Sequence, residues 1–211
     1  MSVYMTEAEQ IAVIKQWWQR YSTMIIVAFS IVLFMLSGYR YWQWHQEKIE
    51  LKASNAYEHL MLSFSNQDQK SVYAYANELI KNNGTSIYAD AARLILARLM
   101  IEHEKYNQAK ETLNQVAKHS KMAALKNVAT IRMARLLLLE KSYSKALKIL
   151  TNVVDEAYLP LVYELRGDIY RAMGSYPDAA KAYQKAMIDA KAQGMSNLFL
   201  EMKAGELSAL T

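Results

Sequence analysis

Two hydrophobic patterns divide the chain. Between Arg20 and Arg40 there is no charged residue, and residues 23–38 are apolar apart from Thr23, Ser30 and Ser37. With its flanks this run reaches about 20 residues, enough at 1.5 Å per residue to cross a hydrocarbon core of roughly 30 Å. Aromatic rings bracket it: Trp17, Trp18 and Tyr21 before, Tyr39, Tyr41, Trp42 and Trp44 after. Such rings favour the two headgroup levels, where an apolar body and a polar tip are both satisfied. A soluble core helix has no reason to band its aromatics this way. The run predicts a membrane span over residues 23–42, preceded by a helix in residues 1–22 that starts near Thr6, where Thr6 and Glu9 have capping-box spacing. A cleaved leader is disfavoured by the acidic start, the length of the run and the lack of a small-x-small site.

From residue 47 onward apolar positions recur with helical period among Lys, Glu and Gln. Breakers fall at residues 82–84, near Ser120, at Pro160 and at Gly194. A self-comparison shows one spacing three times. It runs Ala97, Tyr106, Ala109, Leu113, Val116; then Ala134, Tyr143, Ala146, Leu150, Val153; then Gly167, Tyr176, Ala179, Tyr183, Ala186. The windows are offset by 37 and then 33 residues. Small residues let two helices approach, the first tyrosine marks the turn, and the later positions face the same seam. The larger first offset predicts a longer linker around Ser120. This is the helix-turn-helix unit of a tetratricopeptide (TPR) repeat. The third copy resembles the consensus most, although Arg166 stands where a large apolar residue is usual. A degenerate pair is expected at residues 51–64 and 72–80, with Ala56, Tyr57, Tyr73, Ala74 and Ala76 as seam candidates. A closing helix is expected at residues 198–207, capped by Ser196 or Asn197. The fold class is therefore all-α: one N-terminal transmembrane helix, then a TPR-like α-solenoid over residues 47–211.

Composition narrows the function. Six Gly and two Pro argue against all-β and Rossmann-type folds, and the absence of Cys excludes disulfides and thiolate chemistry. The net charge of +5 is interspersed, with no basic run of the nucleic-acid-binding kind. His45, His59, His103 and His119 contain no pair at helical metal-ligand spacing, and no catalytic motif is found. No catalytic residue, metal site or cofactor is expected. What remains is a surface. By helical phasing the first helix of each pair would line a groove with Leu94, Arg98 and Ile101, then Val128, Ile131, Arg135 and Leu138, then Leu161, Glu164, Asp168 and Arg171. The first two sets suit a segment with apolar anchors and an acidic group. The competing expectation is that several of these residues pack beneath the C-terminal helix. Lys and Arg flank the span on both sides, so charge alone leaves its orientation open.

The organisation resembles, nearly end to end, the ancillary SecYEG translocon subunit family (YfgM-like proteins). The likeness lies in the approach from Glu9 to Trp18 and in the exit Gly38-Tyr39-Arg40-Tyr41-Trp42 with His45 and Gln46. It continues at Ala53, Ser54, Ala56 and Tyr57, at Ile131-Arg132-Met133-Ala134-Arg135, at Leu165-Arg166-Gly167-Asp168 and at Glu201-Met202-Lys203. The resemblance implies an inner-membrane protein with a cytoplasmic N-terminus and a periplasmic TPR-like domain. It implies association with the SecYEG translocon and the periplasmic chaperone PpiD, assisting secretory chains as they emerge. The family's stress-regulatory tail is not expected to carry over, because the first residues here depart from it. An adaptor for another envelope machine (pilus, secretion or division assembly) is the alternative.

Overall fold

The computed structural model describes residues 7–195 and 197–208; Thr6 and Ser196, two expected capping residues, lie outside them. Among the described residues there is no strand. The chain divides into two compact units, the first ending at Lys52 and the second beginning at Ala53. The expected start of the repeat domain at residue 47 lies a little before that point.

In the first unit the backbone belongs to α1, Glu7–Ser65. Its apolar run is exposed throughout; Met24 is 72% and Phe34 82% exposed. It is the one helix among the described residues long and apolar enough to cross a membrane. A helix satisfies its own backbone polar groups, which hydrocarbon demands. Ser30, polar within the run, returns its hydroxyl to the Ile26 carbonyl at 2.8 Å. The aromatic bands hold together locally. Trp17 and Tyr21 lie 5.5 Å apart on one side, and Tyr41 and Trp44 6.0 Å apart on the other. Lys48 Nζ sits 3.7 Å above the Trp44 ring.

The second unit stacks the end of α1 with α2 (Gln69–Asn83), α3 (Ile87–Glu102), α4 (Tyr106–His119), α5 (Ala123–Leu139), α6 (Tyr143–Leu150), α7 (Leu159–Ala172), α8 (Tyr176–Ala192) and α9 (Leu198–Ser208). Most small and apolar positions of the repeated spacing are 0% exposed: Ala97, Ala109, Leu113, Val116, Ala134, Ala146, Ala179, Tyr183 and Ala186. Gly167 is buried as well. The tyrosines Tyr106, Tyr143 and Tyr176 each begin the second helix of a pair. Two residues before each of them the chain turns left-handed, at Glu104 (φ 59°), Lys141 (φ 59°) and Gly174 (φ 76°). The turns then close alike. Lys105 N–H donates to Met100 O at 2.8 Å, Ser142 to Leu137 at 2.8 Å and Ser175 to Tyr170 at 2.9 Å. This is the 6→1 bond of a Schellman ending, in which a left-handed residue lets the chain reverse within three residues. The same turn recurs at Gln67 (φ 58°), between α1 and α2.

Two expectations are corrected. The connection at Ser120 is short; α5 has 17 residues where α7 has 14, so the larger first offset is mostly extra helix. In the degenerate pair the seam is built by Ala53, Leu60, Val72, Ala76 and Leu79, while Ala56, Tyr57 and Tyr73 only flank it and Ala74 is exposed. Period alone identifies the helices but not the angle at which they cross. Val153 lies beyond α6 yet is only 4% exposed, so the repeat position survives the helix's early stop. The expected cap of α9 is in place: Asn197 Oδ1 accepts from Leu200 N–H at 3.2 Å.

Candidate partner-binding groove

Three cavities follow one another along the first helices of the repeats. The central one, about 500 Å³, lies between α3, α4 and α5. Its floor is apolar and closed: Ala97 and Leu113 are 0% exposed and Leu136 2%. Ile101 and the exposed Leu139 add apolar sides, and Arg98, Glu102, Arg132 and Arg135 supply all its charge. Arg98 Nε donates to Glu102 Oε1 at 2.9 Å, and its guanidinium lies 5.4 Å from the Phe64 ring. Arg132 is half-buried, its Nη1 donating to the Leu94 carbonyl at 3.0 Å. Burial first, then the neighbouring charges of Arg135 and Arg98, push Arg132 below the usual arginine range. Arg135 has no ion-pair or hydrogen-bond partner for its side chain among the described residues.

A second cavity of about 410 Å³ adjoins the first, sharing Arg98 and Glu102 and reaching Phe64, Gln69 and Val72. The third, about 450 Å³, is bounded by Leu138, Asp168, Arg171 and Ala172 and by Phe199 and Lys203 of α9. Here α9, whose Leu200 packs against Ala179, Tyr183 and Ala186 of α8, supplies one wall. Lys203 Nζ lies 2.8 Å from Glu164 Oε1 and 2.9 Å from Asp168 Oδ1, and Arg171 pairs with Glu206 at 3.2 Å. Tyr183 donates its hydroxyl to Asp168 Oδ1 at 2.7 Å. Burial, followed by that bond, pushes the Tyr183 hydroxyl well above the usual tyrosine range.

The eleven residues expected on the groove therefore separate. Arg98, Ile101 and Arg135 converge on the central cavity, and Leu138, Asp168 and Arg171 on the third. Leu94 and Ile131, at 5% and 3% exposure, are core residues and are corrected accordingly. Val128 packs against the core cluster containing Leu113 and Ala129. Glu164 is engaged by Lys203, and Leu161 is exposed but lines none of the three cavities. The phasing missed Arg132, Glu102, Leu136 and Leu139. On α5 the central cavity is lined by Arg132, Arg135, Leu136 and Leu139, while Ile131 turns into the core and Leu138 borders the third cavity. The neighbouring helix covers one edge of the wheel, and its crossing angle is not written in the period.

The stacked helix pairs, with a groove along their first helices, define a TPR-like α-solenoid protein. The profile of the tetratricopeptide repeat-like domain covers residues 15–209. The ancillary SecYEG translocon subunit of Aggregatibacter actinomycetemcomitans is 32% identical over 192 residues, 91% of this chain and 94% of that protein. Its namesakes in Haemophilus influenzae and Escherichia coli K12 are 28% and 26% identical, over 88% and 99% of this chain and 91% and 100% of theirs. Among solved structures, MamA 41-end from Desulfovibrio magneticus RS-1 superimposes with a TM-score of 0.58 at 18% identity, covering 75% of this chain and 84% of that one. That likeness is one of fold. The chain belongs to the ancillary SecYEG translocon subunit family.

Proposed function

We propose that this chain is a membrane-anchored, TPR-like scaffold and co-chaperone that associates with the SecYEG translocon. In this reading it works beside the periplasmic chaperone PpiD and assists secretory chains as they emerge. The observation that carries the proposal is the nearly full-length relationship to proteins named ancillary SecYEG translocon subunit, 32% identical over 91% of the chain. The exposed apolar helix supports a membrane anchor, and in this reading it lies in the inner membrane with residues 1–22 cytoplasmic and the repeats periplasmic. A groove with an apolar floor and a charged rim fits a binding role.

Crosslinking in membranes followed by mass spectrometry tests it. Translocon subunits and PpiD should be enriched; enrichment of another envelope machine, with neither of these present, would overturn the reading. A reporter fused after Thr211 tests the topology. Alkaline phosphatase at that point should be active and a cytoplasm-dependent fluorescent protein dark; the reverse outcome would invert the orientation.

A further inference from the structure

One register position decides the charge of the groove. Arg98, Arg135 and Asp168 are equivalent in the three repeats, at the same offsets as the seam residues. In the third repeat the position is acidic, and Lys203 of α9 supplies a base that faces it. Leu200 is buried to 1% exposure, and Lys203, three residues on, reaches both Glu164 and Asp168. Leu200 packs against Ala179, Tyr183 and Ala186 of α8, and it is Phe199 and Lys203, one helical turn apart, that present an apolar side chain and the opposite charge to the third cavity. In the first two repeats the position is basic and the cavity of about 500 Å³ between them is open. Three guanidiniums face one carboxylate there. Glu102 partly offsets Arg98 in an exposed pair, which is a weak interaction, and Arg135 is unpaired among the described residues. Gathering like charges above an apolar floor costs energy, which an incoming carboxylate relieves, and guanidinium planes match carboxylates with two parallel hydrogen bonds.

We infer that the open groove between α3 and α5 binds a protein segment carrying a carboxylate side chain about one helical turn from a bulky apolar residue, the charge-inverted counterpart of the Phe199–Lys203 turn that α9 presents to the third cavity. The apolar side chain enters the cavity over Ala97, Leu113 and Leu136 while the carboxylate meets Arg135 and Arg132. This rests on the reading of the groove as a partner-binding surface and adds which partners it selects.

The test uses the full chain in detergent micelles and fluorescein-labelled alanine-based peptides of about 15 residues, a length at which such helices begin to form. Each peptide carries one Leu-x-x-x-Glu turn, or the same turn ending in Gln or Lys. The Glu peptide should bind about tenfold more tightly than the Gln peptide. Arg98→Glu with Arg135→Glu should reverse the preference toward the Lys peptide while the variant melts like the parent, because both side chains are at the surface. Equal affinities for Glu and Gln peptides, no saturable binding at millimolar peptide, or a preference untouched by charge reversal would each overturn the inference. So would displacement of the peptide by soluble short-chain phosphatidylglycerol but not phosphatidylcholine at matched concentration, which would make the groove a headgroup site. If crosslinking still enriches the translocon when the peptide preference is absent, only this inference falls. If the preference holds without translocon enrichment, only the translocon reading falls.

Discussion

The second and third repeats share one spacing and fill their seams in opposite ways. In the α5–α6 pair an alanine, Ala134, faces a seam whose large residue is Leu150. In the α7–α8 pair the small residue is Gly167 and the large one Tyr183, both buried. A Cβ built on Gly167 would stand 2.4 Å from Tyr183 Cε1 and 2.5 Å from Cδ1. The volume given up on one helix has been taken up by a ring on the other. That exchange also carries a hydroxyl through the seam to Asp168, on the groove. The third repeat is thus tied from core to groove and its acidic position is paired with Lys203 of α9, while Arg135 of the second has no such partner among the described residues.

The largest effect should come from undoing that exchange. Gly167→Ala pushes a methyl into a fully buried ring that has nowhere to retreat, and should cost about 1–3 kcal/mol in denaturant unfolding of the full chain. Adding Tyr183→Leu, which copies the second repeat, should recover much of the loss. A double-mutant cycle without coupling would break the comparison. The pairing with Lys203 comes next. Lys203→Met leaves Glu164 and Asp168 facing each other without a cation and should cost about 1–3 kcal/mol, whereas Arg135→Ala on the open side should stay within about 0.5 kcal/mol. Similar melting of the two variants would show that α9 is not a structural lid.

A smaller effect separates the ring from its hydroxyl. Tyr183→Phe keeps the packing and loses the bond to Asp168, about 0.5–1.5 kcal/mol. It also changes the alkaline limb. The folded hydroxyl is held above its ordinary value, and an unfolded tyrosine loses its proton near pH 10. Above about pH 10 the unfolded chain therefore binds fewer protons than the folded one, so stability falls as pH rises. Melting temperature should drop more steeply between about pH 9 and about pH 11 in the parent than in Tyr183→Phe. The smallest effect lies at the turns. Lys141 and Gly174 hold the same left-handed position. Lys141→Gly should gain about 0.5–1 kcal/mol and Gly174→Ala lose about 1 kcal/mol, read by thermal unfolding.

Much of the repeat architecture was legible because its signal is local. A small residue, a turn tyrosine and a small residue at fixed spacing determine a helical hairpin whatever surrounds it, and most of those positions are fully buried. The groove was only half legible. Arg98, Ile101 and Arg135 were found, while Arg132 was missed and Leu94 and Ile131 were placed on the wrong side of the surface. A helical wheel reports which residues share a stripe; it does not report where the next helix lies across it.

The sequence by itself determined a span-length apolar helix between aromatic bands, three repeats and the lack of a recognisable catalytic set. These follow from hydrophobic period and side-chain volume, which act over a few residues. Only the tertiary structure decided that Tyr183 fills the space beside Gly167, that Arg98, Arg132 and Arg135 gather over one apolar cavity, and that Lys203 pairs with Glu164 and Asp168 of the third repeat. Each of these joins residues about 15 to 40 positions apart, where the crossing of helices, not the period along any one of them, sets which side chains meet.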